Sequence, residues 1–304
     1  MTSTLSTELD SVGTPPPVAL TAHEGLEGSI TRAPPVGLQR LARLSLNSRW
    51  VNLTHISHMD PGDINIRVDA TTAVSKAALD TATKIIHLMT MSMPPPIFTR
   101  LATGPVTVGV FTAAETLTVY PSYYPNSNPP ECCQEDYNCC GGSCARSCTF
   151  DGRKWINVAG AGGQRTAVLD VNVLCTAADP YRGSLNVLVH EFAHTVHEYG
   201  LDTGMKKRLL SAYTAVRNRR LWNDTYAMAN AMEYFAVGTS VFFNSDHRIE
   251  NLNGPHIRCV STSCSTGNAG KALLRNRDVT LYDIINEVFA DNNSNDINIG
   301  TCTK

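Results

Sequence analysis

The chain has 304 residues, a formal net charge of −2 and 17% charged residues. That length can bury a substantial core, in one large domain or two small ones. The near-neutral balance, with no cluster of lysine or arginine, excludes the basic field that a nucleic-acid partner requires, and no apolar run approaches the length of a membrane span.

Residues 1–45 contain Pro15-Pro16-Pro17 and Pro34-Pro35 with little periodicity, and read as a flexible extension or propeptide ahead of one domain over 46–304. Met1 to Ala19 is polar and shows no charged start followed by an apolar core, so no signal peptide is visible there. His23 can cap a metal in a latent form, although its simpler reading is a solvated side chain. Val51 and Leu53 alternate in a strand that begins at Arg49, and residues 64–68 form a second strand. Val74, Ala78, Ala82, Ile85 and Met89 share one stripe, which predicts a helix over 72–91 closed by Pro94-Pro95-Pro96. Residues 105–111 and 116–120 read as strands.

Six of the ten cysteines then crowd together at Cys132, Cys133, Cys139, Cys140, Cys144 and Cys148; the others are Cys175, Cys259, Cys264 and Cys302. An even count, dense in a loop rich in Pro, Gly and Asn, predicts five disulfides in an oxidising compartment and hence an extracellular, secreted protein. A structural zinc or metal-thiolate cluster is the alternative, but the two C-x₂-C knuckles of a zinc ribbon are missing. The 132–148 insertion is too poor in apolar residues to build its own core and is expected to form a cross-linked flap beside the cleft. Asn52, Asn223 and Asn292 begin N-x-S/T tripeptides, consistent with a glycoprotein. Residues 154–158 and 166–171 read as strands, the second being the candidate edge that takes up an extended peptide by β-addition. Residues 159–163 (Ala-Gly-Ala-Gly-Gly) read as a loop.

His190-Glu191-Phe192-Ala193-His194 is the most informative segment. On a helix, this spacing puts both imidazoles one turn apart on one face, within reach of a single metal, while Glu191 is turned toward a metal-bound water. The pattern arises by chance in about one chain in a hundred of this length. Val189, Phe192, Ala193 and Val196 recur at three- and four-residue steps, Ser184 is the expected N-cap, and Gly200 the expected stop of a helix of roughly four to five turns. Three protein ligands plus water make the open site of a hydrolase, so a third ligand is needed. A further His or Asp at position 200, with Gly at 197, would be one solution; His197 and Gly200 stand there instead. The best candidate is Glu233, a lone carboxylate within the apolar segment 225–244, where it must be metal-bound or satisfied by an arginine. His197 reads as solvated surface, His247 and His256 as loop histidines that can add a donor, and residues 280–291 as a last helix.

The run 190–199, followed by Thr225-Tyr226 and Asn230-Ala-Met-Glu-Tyr-Phe-Ala236, resembles the catalytic domain of the anthrax lethal factor family, which are gluzincins. The resemblance extends over about residues 179–244; Asp179-Pro-Tyr-Arg-Gly183 with H-E-F-A-H also resembles a group of secreted eukaryotic proteins. It implies a zincin-like α+β fold: a mixed twisted sheet on the active-site helix, a mostly helical C-terminal half and the disulfide-rich loop. It implies Zn²⁺ held by His190, His194 and Glu233, Glu191 as general base, and Tyr226, seven residues before Glu233, as a hydrogen-bond donor to the oxyanion. The expected activity is endopeptidase cleavage of a peptide or protein substrate. One position departs: the family carries a second glutamate four residues past the ligand, in the outer shell of a zinc histidine, where this chain has Val237. The alternative is therefore a catalytically silent zincin retained as a secreted binding or toxin-like protein.

Overall fold

A computed structural model of the protein describes residues 19–20, 49–54, 65–120, 123, 132, 140–149, 152–247, 269–290 and 297–301. Its strands are β1 (Ala19–Leu20), β2 (Arg49–Thr54), β3 (Asn65–Ala70), β4 (Thr107–Phe111), β5 (Gly160–Ala161) and β6 (Arg165–Leu169). They form one sheet in the order β1-β5-β6-β4-β3-β2. The sheet is mixed. The β3–β4 and β4–β6 pairs are parallel, and β2–β3, β5–β6 and β1–β5 are antiparallel.

Alternation of β-branched residues explains the long strands. Ile66, Val68 and Ala70 in β3, Val108 and Val110 in β4, and Val168 in β6 are buried on the face that receives the helices. These helices are α1 (Lys76–Thr90), α2 (Pro95–Thr103), α3 (Asp170–Val173), α4 (Val187–Thr195), α5 (Thr203–Asn218), α6 (Ala231–Phe242), α7 (Ala269–Arg277) and α8 (Val279–Phe289). Ser75 caps α1 by accepting from Ala78 N. The triple proline does not simply close that helix, as the sequence suggested: Pro94 is the cap of α2, and Pro95 opens it. At the first helical position proline forfeits no hydrogen bond and its fixed φ is already helical.

Two predicted strands are absent. Residues 117–119 and 155–157 are 3-10 turns. β4 is already paired on both edges, by β3 and β6, so neither segment can pair with it. Instead they cover the other face of the sheet, where Phe111, Leu117, Tyr120, Tyr123, Trp155, Ala161 and Ala167 form a second, smaller apolar cluster. The described half-cystines lead into this layer: Cys132–Cys144 and Cys140–Cys148 are disulfides, and Cys148 pairs with Lys154, the residue before Trp155. Cys175 is also disulfide-bonded, and no cysteine is free among the described residues. Among those residues no helix is long and apolar enough to cross a membrane.

The strand 165–169 lies inside the sheet, between β4 and β5, so it is not the free edge expected of residues 166–171. The glycine run, expected as a loop, supplies β5 instead. His23, His256 and residues 133–139 of the 132–148 insertion lie outside the described residues.

Candidate metal centre

α4 is the buried spine of the molecule; every residue from Val187 to Thr195 is shielded from solvent. Its cap is Asn186, whose side chain accepts from Val189 N, rather than Ser184, whose hydroxyl donates to the Tyr181 carbonyl. The start of the helix is fixed by a buried polar network. Asn172 Oδ1 accepts from Val187 N at 2.9 Å, Asn172 Nδ2 donates to Asp179 Oδ1 at 2.9 Å, and Asp179 accepts from the amides of Tyr181 and Gly183. Arg182 and Gly183 take positive φ to close this turn. Beyond Thr195 the chain widens into a π-helical turn, Val196–Gly200, before leaving as an extended chain at Leu201. The regular helix is therefore shorter than the periodicity suggested, and Gly200 ends the π-helical turn that follows it.

The glutamate comes from α6. This helix begins at Ala231, not at Thr225, because Asn230 caps it by accepting from Glu233 N at 2.8 Å. Residues 226–228 form a separate 3-10 turn. From Glu233 to Phe242 every residue of α6 is buried, and α6 packs along α4. This places Glu233 opposite the two histidines.

The three candidate ligands converge. His190 Nε2 lies 3.1 Å from Glu233 Oε2 and 3.1 Å from His194 Nε2, and His194 Nε2 lies 3.4 Å from Glu233 Oε2. All three side chains are buried, and together they form a group able to hold a metal ion. Donors set tetrahedrally around an ion with bonds of about 2.0–2.1 Å stand about 3.3 Å apart, so this triangle has the size of one face of a zinc tetrahedron. Two imidazoles and one carboxylate are also the donor set of an open site. Burial pushes the Glu233 carboxyl up, but the imidazoles of His194 and His190 outweigh it and hold it down at about 2, so Glu233 is an anion.

Tyr226 reaches the same point. Its hydroxyl donates to Glu233 Oε1 at 3.1 Å, and its ring centroid is 6.5 Å from that of His190. The two carboxylate oxygens thus divide their tasks, Oε2 toward the imidazoles and Oε1 toward the phenol. Glu191 is fully buried on α4 beside Gly160 of β5. Val237, one turn past Glu233, is buried. Nδ1 of His194 is buried without a hydrogen-bond partner among the described residues.

His197 is not solvated surface. It is half-buried with its ring 6.0 Å from that of Phe235, and burial first, then His194 and Lys206, lowers its pKa to about 3. His247 is engaged at the far end of α6, hydrogen-bonded to Asn244 Oδ1 and Thr301 Oγ1.

Thr195 was not singled out by the sequence, and the glycines of the β5–β6 hairpin were read only as a loop. Thr195 Oγ1 donates to the Gly163 carbonyl, accepts from Gly163 N, and lies 2.6 Å from Thr166 Oγ1. A Cβ on Gly162 would stand 2.3 Å from the Glu191 carbonyl oxygen and 2.5 Å from His194 Cβ. The hairpin therefore lies directly on the helix that carries the motif. The signal for it was the glycine run itself, since such runs mark close backbone approach as well as loops.

Fold and site together define the class: an α+β protein whose mixed sheet rests on a helix bearing H-E-x-x-H, with a buried His-His-Glu group. The sequence model of the family described as anthrax toxin lethal factor, N- and C-terminal domain, matches residues 140–254, a span that holds His190, Glu191, His194, Tyr226 and Glu233. The relationship is lethal-factor-like over that span. No curated protein and no solved structure matches the chain.

Proposed function

We propose that the protein is a zinc-dependent endopeptidase of the lethal-factor-like kind, acting outside the cell on peptide or protein substrates. The observation that carries this reading is the buried triangle of His190, His194 and Glu233, with Glu191 on the same turn of α4. Zinc bound by that triangle supplies a polarised scissile carbonyl and a water acidic enough to react near neutral pH. Glu191 takes up the proton of that water and passes it to the leaving amine. Tyr226 donates its single hydroxyl proton to Glu233 Oε1 in the unliganded site; with substrate bound, that proton would turn from Oε1 to the oxyanion. Burial of every charged group in the site strengthens these interactions, because little water screens them. Paired cysteines support the extracellular location.

A second reading, an inert zincin fold used for binding, is favoured by Val237 and by the unsatisfied Nδ1 of His194, because outer-shell carboxylates orient zinc histidines. Metal analysis combined with hydrolysis of casein or a peptide library separates the two. The expected result is one zinc per chain, activity abolished by a chelator and restored by added zinc. Glu191→Gln should keep the zinc while losing about 10²–10⁴ of the rate. Stoichiometric zinc with no hydrolysis under any condition establishes the inert reading instead.

A further inference from the structure

β5 crosses α4 at the motif. A Cβ on Gly160 would stand 3.2 Å from Glu191 Cγ, and one on Gly162 2.5 Å from His194 Cβ. One edge of β5 is paired with β6, and the strand lies against the helix that carries the candidate metal donors, so its other edge is the sheet edge nearest that helix. Such an edge presents backbone donors and acceptors that an extended chain can pair with. In this protein it is already taken. Ala19 pairs with Ala161 and Leu20 with Gly160, antiparallel, and β1 also lies against α4.

We propose that β1 is an internal mimic of an extended substrate, which holds the peptide-binding edge of β5 closed in the full chain. The proposal rests on reading the site as one that takes peptides. An incoming peptide needs the same backbone groups at 160 and 161 that β1 uses, so the two strands exclude each other. A tethered strand competes at an effective concentration near the millimolar range, well above that of a dilute substrate. Two residues make few hydrogen bonds, so the closure is reversible. β1 and β2 are joined by residues 21–48, which contain Arg32, Arg40 and Arg43. A cut after any of these arginines, by a protease specific for basic residues, turns the tethered strand into a free one that dilution removes.

The test uses the full chain in two forms. One is the Ala19→Pro/Leu20→Pro double variant, whose residues cannot donate to a ladder. The other carries a site for a sequence-specific protease inserted after Arg32 and is cut after folding. Hydrogen exchange at the amides of 160–161 and binding of a fluorescent extended peptide in a Glu191→Gln background are measured in both. Opening should speed exchange and tighten peptide binding by about tenfold or more, raise kcat/KM similarly when Glu191 is intact, and be reversed by a synthetic peptide of residues 14–26. Unchanged exchange, or faster exchange with no gain in peptide binding, overturns the proposal. A gain in binding without hydrolysis in any form sustains the closed edge and overturns the peptidase reading.

Discussion

Glu233 occupies the third helical position of α6, where a glutamate often turns back to bond the amide of its own cap. Here Asn230 accepts from Glu233 N, but the carboxylate does not turn back to the cap and points instead toward His190, His194 and Tyr226. If it is the third ligand, Glu233→Ala should lower zinc affinity by at least about a hundredfold, since two imidazoles alone hold the ion poorly. Full zinc content at unchanged affinity would mean that the ligand has been misassigned. His197 yields a prediction of pH dependence. Its folded pKa of about 3 lies below the ordinary value near 6.5, so between those pH values the unfolded chain binds a proton that the folded chain does not. Its contribution to stability is therefore complete above pH 6.5 and is lost as pH falls toward 3. Urea unfolding of the metal-free protein should show this loss, and His197→Phe should flatten the profile in that window; superimposable profiles would rule the group out.

At the scale of elements, the close contact between the β5–β6 hairpin and α4 gives the sharpest prediction. Gly162→Ala forces a methyl against the Glu191 carbonyl, a backbone atom that cannot swing aside, and should destabilise by about 1–3 kcal/mol while disturbing hydrolysis. Gly141→Ala, with open space around its Cβ, is the control and should change stability by less than about 0.5 kcal/mol. Equal effects in denaturant titrations would show that the contact is slack. The same hairpin marks the limit of what the sequence reveals. The motif helix and the strands at β2, β3 and β4 were legible because each carries its own period of apolar residues, and the glutamate helix because its sequence is apolar almost throughout. The phenol of Tyr226 was legible only through spacing and resemblance. β5 carries no period, since a Gly-Ala pair within a run of glycine and alanine looks the same in a loop and in a strand. Residues 116–120 failed in the opposite direction: they look like a strand, but the sheet had no vacant place beside β4. Sequence pattern reports what a segment can do locally; pairing is decided by which edges remain.

For the whole molecule, the sheet separates two layers of unequal strength. The helical face holds the large core together with the candidate metal centre; the opposite face holds the small cluster around Tyr123 and Trp155, which continues into the disulfides Cys132–Cys144 and Cys140–Cys148. Tyr123 links the layers by donating its hydroxyl to the Ala161 and Arg165 carbonyls of the hairpin. These bridges close loops with sequence separations of 12 and 8 residues. Loop closures of that size restrict the unfolded chain by about 3 kcal/mol each. A layer with so few apolar residues depends on such cross-links, whereas the helical core does not. Mild reduction should therefore open the 121–152 region to proteases and change the environment of Trp155, while bound zinc and the helical signal persist until stronger denaturation. Peptide mapping of the unreduced protein should recover the two bridges before treatment. Loss of zinc at the same reductant concentration that opens the bridges would show instead that the two faces unfold as one cooperative unit and that the cysteine layer is part of the foundation of the site.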